Sequence, residues 1–256
     1  MKRVLAIGAV AAISVAIVVI AMAPASLAGH ALGKWTEGRV TLGDPAGTIW
    51  DGQADIILTA GTAGLPATQL PGRLAWHLAA SRLLLGSVDL TLTDPAVLDS
   101  PLALRMDRAS AVVDPDRLHL PATVLQGLGA PWNTIQPGGA LQLEWDTLHV
   151  QDGALRGALR GEWTDASSRL SPVVPFGHYR FVTDGVFDGA TLHLETLSGP
   201  MEMTGNGTIA AGNQLRFRGS ARVLPGTDEA TATQLSGLIS LLGRRDGDGA
   251  ILNFGT

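Results

Sequence analysis

The chain contains no cysteine, which excludes a disulfide framework, a Cys-ligated metal and a thiol nucleophile. Lysine is almost missing: apart from Lys2 only Lys34 occurs, leaving nothing else to serve a Ser-Lys dyad. Positive charge is in deficit too. Setting Lys2 and Arg3 aside leaves 16 of the 18 Lys plus Arg against 23 Asp plus Glu, a balance unsuited to nucleic acid or an anionic surface. There is no G-x-S-x-G, no phosphate loop and no H-E-x-x-H. His30, His77, His119, His149, His178 and His193 are scattered, with no pair at metal-ligand spacing.

One long hydrophobic run stands out. Residues 4–23 carry no charge, follow Met1, Lys2 and Arg3, and are closed by Pro24. As a helix the twenty residues span about 30 Å, the thickness of a bilayer's hydrocarbon core. Ten of them are Val, Ile or Leu, worth on the order of −3 to −6 kcal/mol toward insertion. The cations on the N-terminal side orient that end to the cytoplasm, so the remainder is exported. A cleaved signal peptide is the competing reading, because Ser26-Leu27-Ala28 before Gly29 offers the small residues of a cleavage site. The run exceeds the roughly 7 to 15 residues of an ordinary signal core, which favours an anchor. The expected organisation is therefore residues 1–3 cytoplasmic, 4–23 a transmembrane helix, 24–39 a connector with Trp35 near the interface, and 40–256 a β-rich exported body.

That body, with most of the 32 Gly and 14 Pro of the chain, reads as strands separated by turns. Val40 to Leu42 is a first strand, Gly43-Asp44-Pro45-Ala46-Gly47 a turn, and Thr48 to Leu58 a second strand, irregular at Gly52. Arg73 to Leu78 follows. Val88, Leu90 and Leu92 alternate with Asp89, Thr91 and Thr93, and Leu102, Leu104 and Met106 with Arg105 and Asp107, as half-buried strands require. Leu120 to Leu128 suits a short helix or 3₁₀ turn ending at Pro131. Leu141, Leu143 and Trp145 form another strand, as do Leu155, Leu159 and Trp163; Gly157 and Gly161 fall on the latter's apolar side, where Trp145 or Trp163 is the expected cover. After the loop Ser171-Pro172-Val173-Val174-Pro175 come strands at 179–183, 186–195, 201–205 and 215–223. A helix then has Asp228 and Glu229 in its first turn, Leu235, Leu238, Ile239 and Leu242 on one face, Gly243 as its stop, and Arg244 and Arg245 suiting its C-terminal dipole. Ile251 to Phe254 closes the chain as a strand.

Chemical motifs give way to structural readings. Gly205-Asn206-Gly207-Thr208-Ile209-Ala210 matches a dinucleotide fingerprint, but a strand follows it, so Asn206-Gly207 is expected to be a hairpin turn. Asp246-Gly247-Asp248-Gly249 starts like a calcium loop, yet Ala250 and Leu252 occupy later ligand positions. Glu144, Asp146, Glu162 and Glu195 are candidates for an acid–base pair or for a solvated sheet face. Arg216, Arg218 and Arg222 project from one side of one strand and are candidate contacts to an acidic partner or lipid phosphate; the competing role is protection of a sheet from aggregation.

Gly47-Thr48-Ile49-Trp50-Asp51-Gly52, Gly72-Arg73-Leu74-Ala75-Trp76, Pro175-Phe176-Gly177-His178-Tyr179, Gly199-Pro200-Met201-Glu202-Met203-Thr204-Gly205-Asn206-Gly207, Leu215-Arg216-Phe217-Arg218-Gly219 and Leu241-Leu242-Gly243-Arg244-Arg245-Asp246-Gly247 occur in an order that resembles type II secretion system protein N. The resemblance implies a mainly β fold with a curved, mostly antiparallel periplasmic sheet, one or two short helices and a single inner-membrane anchor. It implies no catalysis and no cofactor. Its partners would be other inner-membrane platform proteins such as protein M, with the outer-membrane secretin as a further candidate. Such chains also look similar to the groove-forming sheets of lipid-bridging periplasmic proteins, which makes a lipid-binding groove the alternative function.

Overall fold

A computed structural model describes residues 18–59, 67–128, 132–151, 154–184, 190–210 and 214–254. Helix α1 (Ser26–Trp35) precedes strands β1 (Val40–Gly47), β2 (Asp51–Leu58), β3 (Thr68–Gln69) and β4 (Leu74–Leu78). Helix α2 (Ala80–Leu84) leads to β5 (Val88–Thr93), β6 (Leu102–Met106), β7 (Ser110–Val113) and β8 (Asp116–Pro121). A 3₁₀ helix (Ala122–Leu128) and α3 (Trp132–Ile135) precede β9 (Pro137–Trp145), β10 (Leu148–Gln151), β11 (Ala154–Arg156) and β12 (Leu159–Ser168). The chain continues through β13 (Gly177–Asp184), β14 (Ala190–Ser198), β15 (Met201–Ala210), β16 (Gln214–Val223), α4 (Glu229–Leu242), β17 (Arg244–Asp246) and β18 (Gly249–Phe254).

These strands form two nine-stranded antiparallel sheets. The first runs β1-β2-β4-β5-β6-β7-β10-β11 with β3 also on β2, and the second runs β17-β18-β16-β15-β14-β13-β12-β9-β8. The order β7-β10-β11 in one sheet is mirrored by β8-β9-β12 in the other, and each corresponding pair is separated by two residues: Asp114-Pro115, Thr147-Asp146 and Gly157-Ala158. Three long strands therefore leave one sheet and enter the other. The crossing is fastened where Trp145 Nε1 donates to the Asp114 carbonyl at 2.9 Å and Asp146 N donates to the Ala158 carbonyl at 3.3 Å.

The second sheet carries the larger core. Leu141, Trp163, Tyr179, Met201, Met203 and Phe217 on its strands pack against the 3₁₀ helix, α3 and the buried Leu235, Leu238 and Ile239 of α4. Trp163 meets Phe176 edge-on at 5.6 Å between ring centroids and Trp132 at 6.3 Å. The first sheet has a thinner core of Ala25, Ala54 and Trp76, flanked by Ala28, Leu42, Leu90 and Leu92. Beyond Trp76 its apolar face continues through the register Leu92–Leu102, Leu90–Leu104, Leu104–Val113 and Val113–Leu148, and every one of these residues is only half-buried.

Several expected elements are placed differently. The stretch 24–39 is largely helix α1, which packs on β1 and runs away from residue 25, so Trp35 lies at the far end of the first sheet from Ala23, close to where Thr36 bonds Val40. Residues 43–47 are not a turn: β1 runs through them with a bulge between Gly43 and Ala46, Asp44 takes φ 44°, and the reversal falls at 48–50. Asn206-Gly207 is not a hairpin turn either, because β15 stays paired with β16 from Met201 to Ala210, Asn206 facing Arg218 and Gly207 facing Phe217. A side chain at Gly205 would collide with the Phe217 ring, so glycine there serves packing rather than reversal. Gly161 is covered by Phe181, and Gly157 by Leu148, instead of by Trp145 or Trp163. Arg244 and Arg245 belong to β17, not to the last turn of α4, and α1, α2 and α3 add to the one or two short helices expected.

Strands β3, β7, β8, β10 and β17 are additional to those expected, the expected strand through Leu155, Leu159 and Trp163 is divided between β11 and β12 in different sheets, and residues 186–189 of the expected strand 186–195 lie outside the described residues. The 3₁₀ helix falls within Leu120 to Leu128, and Pro131 lies outside the described residues. In α4, Asp228 caps the helix by accepting from Thr231 N at 2.9 Å. Most of the apolar run 4–23 lies outside the described residues; of it, residues 18–21 are helical, and among the described residues no helix is long and apolar enough to cross a membrane.

Candidate functional site

Alternation on the second sheet sends one set of side chains into the core and the other to a polar outer face. Across β8, β9, β12, β13 and β14 that face is a lattice of paired charges. Arg117 reaches Glu144 at 3.4 Å, and Arg180 sits between Glu162 at 2.9 Å and Glu195 at 3.4 Å. The hydrogen bond to Glu162, with the charges of both carboxylates, holds the Arg180 guanidinium firmly protonated. Glu162 and Glu195 are thus brought together through an arginine rather than as a carboxylate pair, and Asp146 faces Arg160 at 4.0 Å.

Arg216, Arg218 and Arg222 do share this face on β16, but their surroundings differ. Arg222 stands opposite Glu202 in the register and bonds its carboxylate at 2.5 Å, which raises the guanidinium's affinity for its proton. Arg218 lies between Asn206 on β15 and Asn253 on β18, and Arg216 opposite Thr208. Both are exposed, and neither makes an ion pair among the described residues. Arg117, Arg180 and Arg222 are neutralised by neighbours; Arg216 and Arg218 present charge outward among polar side chains that include His193, bonded to Asn206 at 2.7 Å. Arg244 on β17, which the register through Ile251 and Ser220 places on the same face, likewise has no ion pair among the described residues.

The histidines remain apart. His77 pairs with Asp51, His119 with Asp99 and His178 with Asp165, each on a different part of the sheets, and among the described residues no group of three His, Cys, Asp or Glu side chains is placed to hold a metal. Asp246-Gly247-Asp248-Gly249 forms the β17–β18 hairpin, with Gly247 at φ 56°.

A second feature gave only a faint signal in the sequence. The apolar N-terminal stretch ends against the 48–50 turn: Trp50 Nε1 donates to the Ile20 carbonyl at 2.9 Å, Ile49 N to the Ala23 carbonyl at 2.9 Å, and Pro24 bridges Thr48. Leu78 N donates to the Trp50 carbonyl at 2.6 Å, so α2, which ends in Leu83 and Leu84 and is followed by Leu85, begins beside this turn. The signal was Leu83-Leu84-Leu85 between Arg82 and Gly86, too short to stand out from a strand or helix core by pattern alone.

The family model described as type II secretion system (T2SS), protein N, matches residues 38–252, which is most of the chain. No curated protein and no solved structure matches it.

Proposed function

The chain belongs to the type II secretion system protein N family, and from that premise we propose that it acts as a non-catalytic, membrane-tethered scaffold of the secretion machinery. Residues 4–23 anchor it in the inner membrane, and the β-rich body stands in the periplasm, where it contacts other platform proteins. The observation that carries the docking role is the exposure of Arg216 and Arg218, which make no ion pair among the described residues, on a face where Arg117, Arg180 and Arg222 are paired. Two exposed guanidiniums amid neutral side chains match an acidic partner surface, to which each can offer a bidentate bond. The half-buried apolar face of β5, β6, β7 and β10 favours a second reading, a groove for lipid, since that face is not consumed by a closed core.

Photo-crosslinking in intact cells separates the two readings. A crosslinker at Thr208, beside Arg216, is expected to capture another protein of the secretion platform. Capture of lipid alone, from there and from Leu104, would replace the scaffold with the groove. Membrane fractionation with N-terminal sequencing tests the tether, and a freely dissolved chain beginning at Gly29 would remove it.

A further inference from the structure

Three reversals of the first sheet lie at one end of it. The register pairs Asp51 with His77, Leu78 with Leu90, Val88 with Met106 and Met106 with Ala111. The 48–50 turn, helix α2 and the 107–109 turn therefore share that end, and the Arg108 guanidinium lies 3.8 Å from where a Cβ on Gly86 would sit. The same end receives the apolar N-terminal stretch, through the bonds of Trp50 and Ile49 to Ile20 and Ala23.

Leu84 is 89 % exposed, Leu85 76 % and Leu83 39 %, with Met106 also exposed beside them. Among the described residues these leucines belong to neither core, and Leu84 and Leu85 leave most of their surface bare. Most ionic groups around them are spent locally: Arg82 pairs with Asp89 at 3.1 Å, Asp51 with His77, and Asp107 accepts from Ala109 N, Ser110 N and Ser110 Oγ, while Arg108, beside Gly86, is exposed and has no ion pair among the described residues. An apolar knob with one exposed guanidinium in its rim, on the end where a hydrophobic stretch arrives, fits a lipid surface, whose headgroup phosphates that guanidinium can bond.

We propose that Leu83, Leu84 and Leu85 form a second membrane contact, immersed in the interfacial layer of the bilayer that holds residues 4–23. This rests on the anchor proposed above. The anchor alone leaves the body free to tilt; the knob fixes which end of the first sheet faces the lipid. Trp50, half-buried between the two contacts, sits at the depth where indole is favoured.

The absence of cysteine makes the test direct. The full chain is reconstituted in phosphatidylethanolamine–phosphatidylglycerol vesicles with a single environment-sensitive label at Leu84→Cys, at Ala12→Cys or at Gln234→Cys on the exposed side of α4, and quenched by lipids carrying nitroxide at defined depths. The expected result is strong quenching at 12 by deep nitroxides, quenching at 84 by shallow ones with a blue-shifted emission, and none at 234. Adding Leu83→Ser and Leu85→Ser to the Leu84→Cys chain is expected to abolish the quenching at 84 while that at 12 persists. Quenching at 12 without quenching at 84, whether position 84 is open to water or covered by protein, overturns the knob and leaves the anchor standing. No quenching at 12 overturns the anchor and this inference with it.

Discussion

The hydroxyl of Tyr179 donates to the main-chain oxygen of Met201 at 2.9 Å, joining β13 to β15 past the strand that lies between them. Both residues are almost wholly buried, so the bond satisfies a carbonyl that water cannot reach. Removing the hydroxyl as Tyr179→Phe strands that carbonyl, at a cost of about 1–3 kcal/mol. A lower urea midpoint with an unchanged m-value is the expected outcome, and an unchanged midpoint would show the bond to be dispensable.

Burial also pushes the Tyr179 phenol above its ordinary range. A raised folded value means that the neutral phenol's contribution is complete below the unfolded pKa of about 10 and is lost as pH rises above it. This is the chain's one tyrosine, so phenolate absorbance reports it alone. Absorbance is expected to stay flat through pH 10 and to rise only with unfolding; ordinary titration near 10 in the folded protein would contradict the burial.

Gly161 and Phe181 face each other across β12 and β13, and a Cβ on Gly161 would occupy the space of the Phe181 ring. Gly161→Ala is expected to destabilise by about 1–3 kcal/mol through overpacking. Combining it with Phe181→Leu recovers part of that loss, because the shortened side chain vacates the site. Thermal melts of the two single variants and the double variant measure this coupling, and simple additivity would disprove the contact.

Reversing Arg216 and Arg218 to Glu is expected to leave the melting temperature near that of the parent, since neither forms an ion pair among the described residues. Recovery of platform protein by crosslinking falls about tenfold, the effect of roughly 1.4 kcal/mol. Arg222→Glu sets like charges together at Glu202 and lowers the melting temperature instead. Equal loss of partner in all three variants, each matched by equal loss of stability, would reduce the unpaired arginines to ordinary surface residues.

The Asp228 cap gives a pH signature at the acid end. The Thr231 N–H bond lowers its carboxyl pKa in the folded chain, so the carboxylate's contribution is present above the unfolded value of about 3.9 and is lost as pH falls through the lower folded one. Helix α4 is expected to fray first in that window, seen as faster amide exchange at residues 229–232. Asp228→Asn keeps a capping oxygen without a titrating proton, and the pH dependence of exchange should disappear.

Much of the strand content was legible because burial on one face imposes a period of two, as at Val88, Leu90 and Leu92 or at Phe217, Gly219 and Ala221. Helix α4 was legible for the same kind of reason, with its apolar stripe and its acidic start. What escaped was set by partners distant in sequence. Asn206-Gly207 carries local turn chemistry, but the paired β16 holds it extended. Phe181 lies twenty residues from Gly161, and nothing local marks it as the cover. Asp114-Pro115 carries turn-favouring residues, whereas the chain uses it to pass from one sheet to the next. Of the polar face, alternation placed Arg216, Arg218 and Arg222 together; only the register separated the neutralised Arg222 from the other two.

The crossing strands 110–121, 137–151 and 154–168 have a mechanical consequence. A body built as two lobes on a loose tether would swivel, and a push on one lobe would dissipate in the joint. Here three covalent backbones, cross-laced by Trp145 and Asp146, join the two sheets in place of a single linker that could act as a swivel.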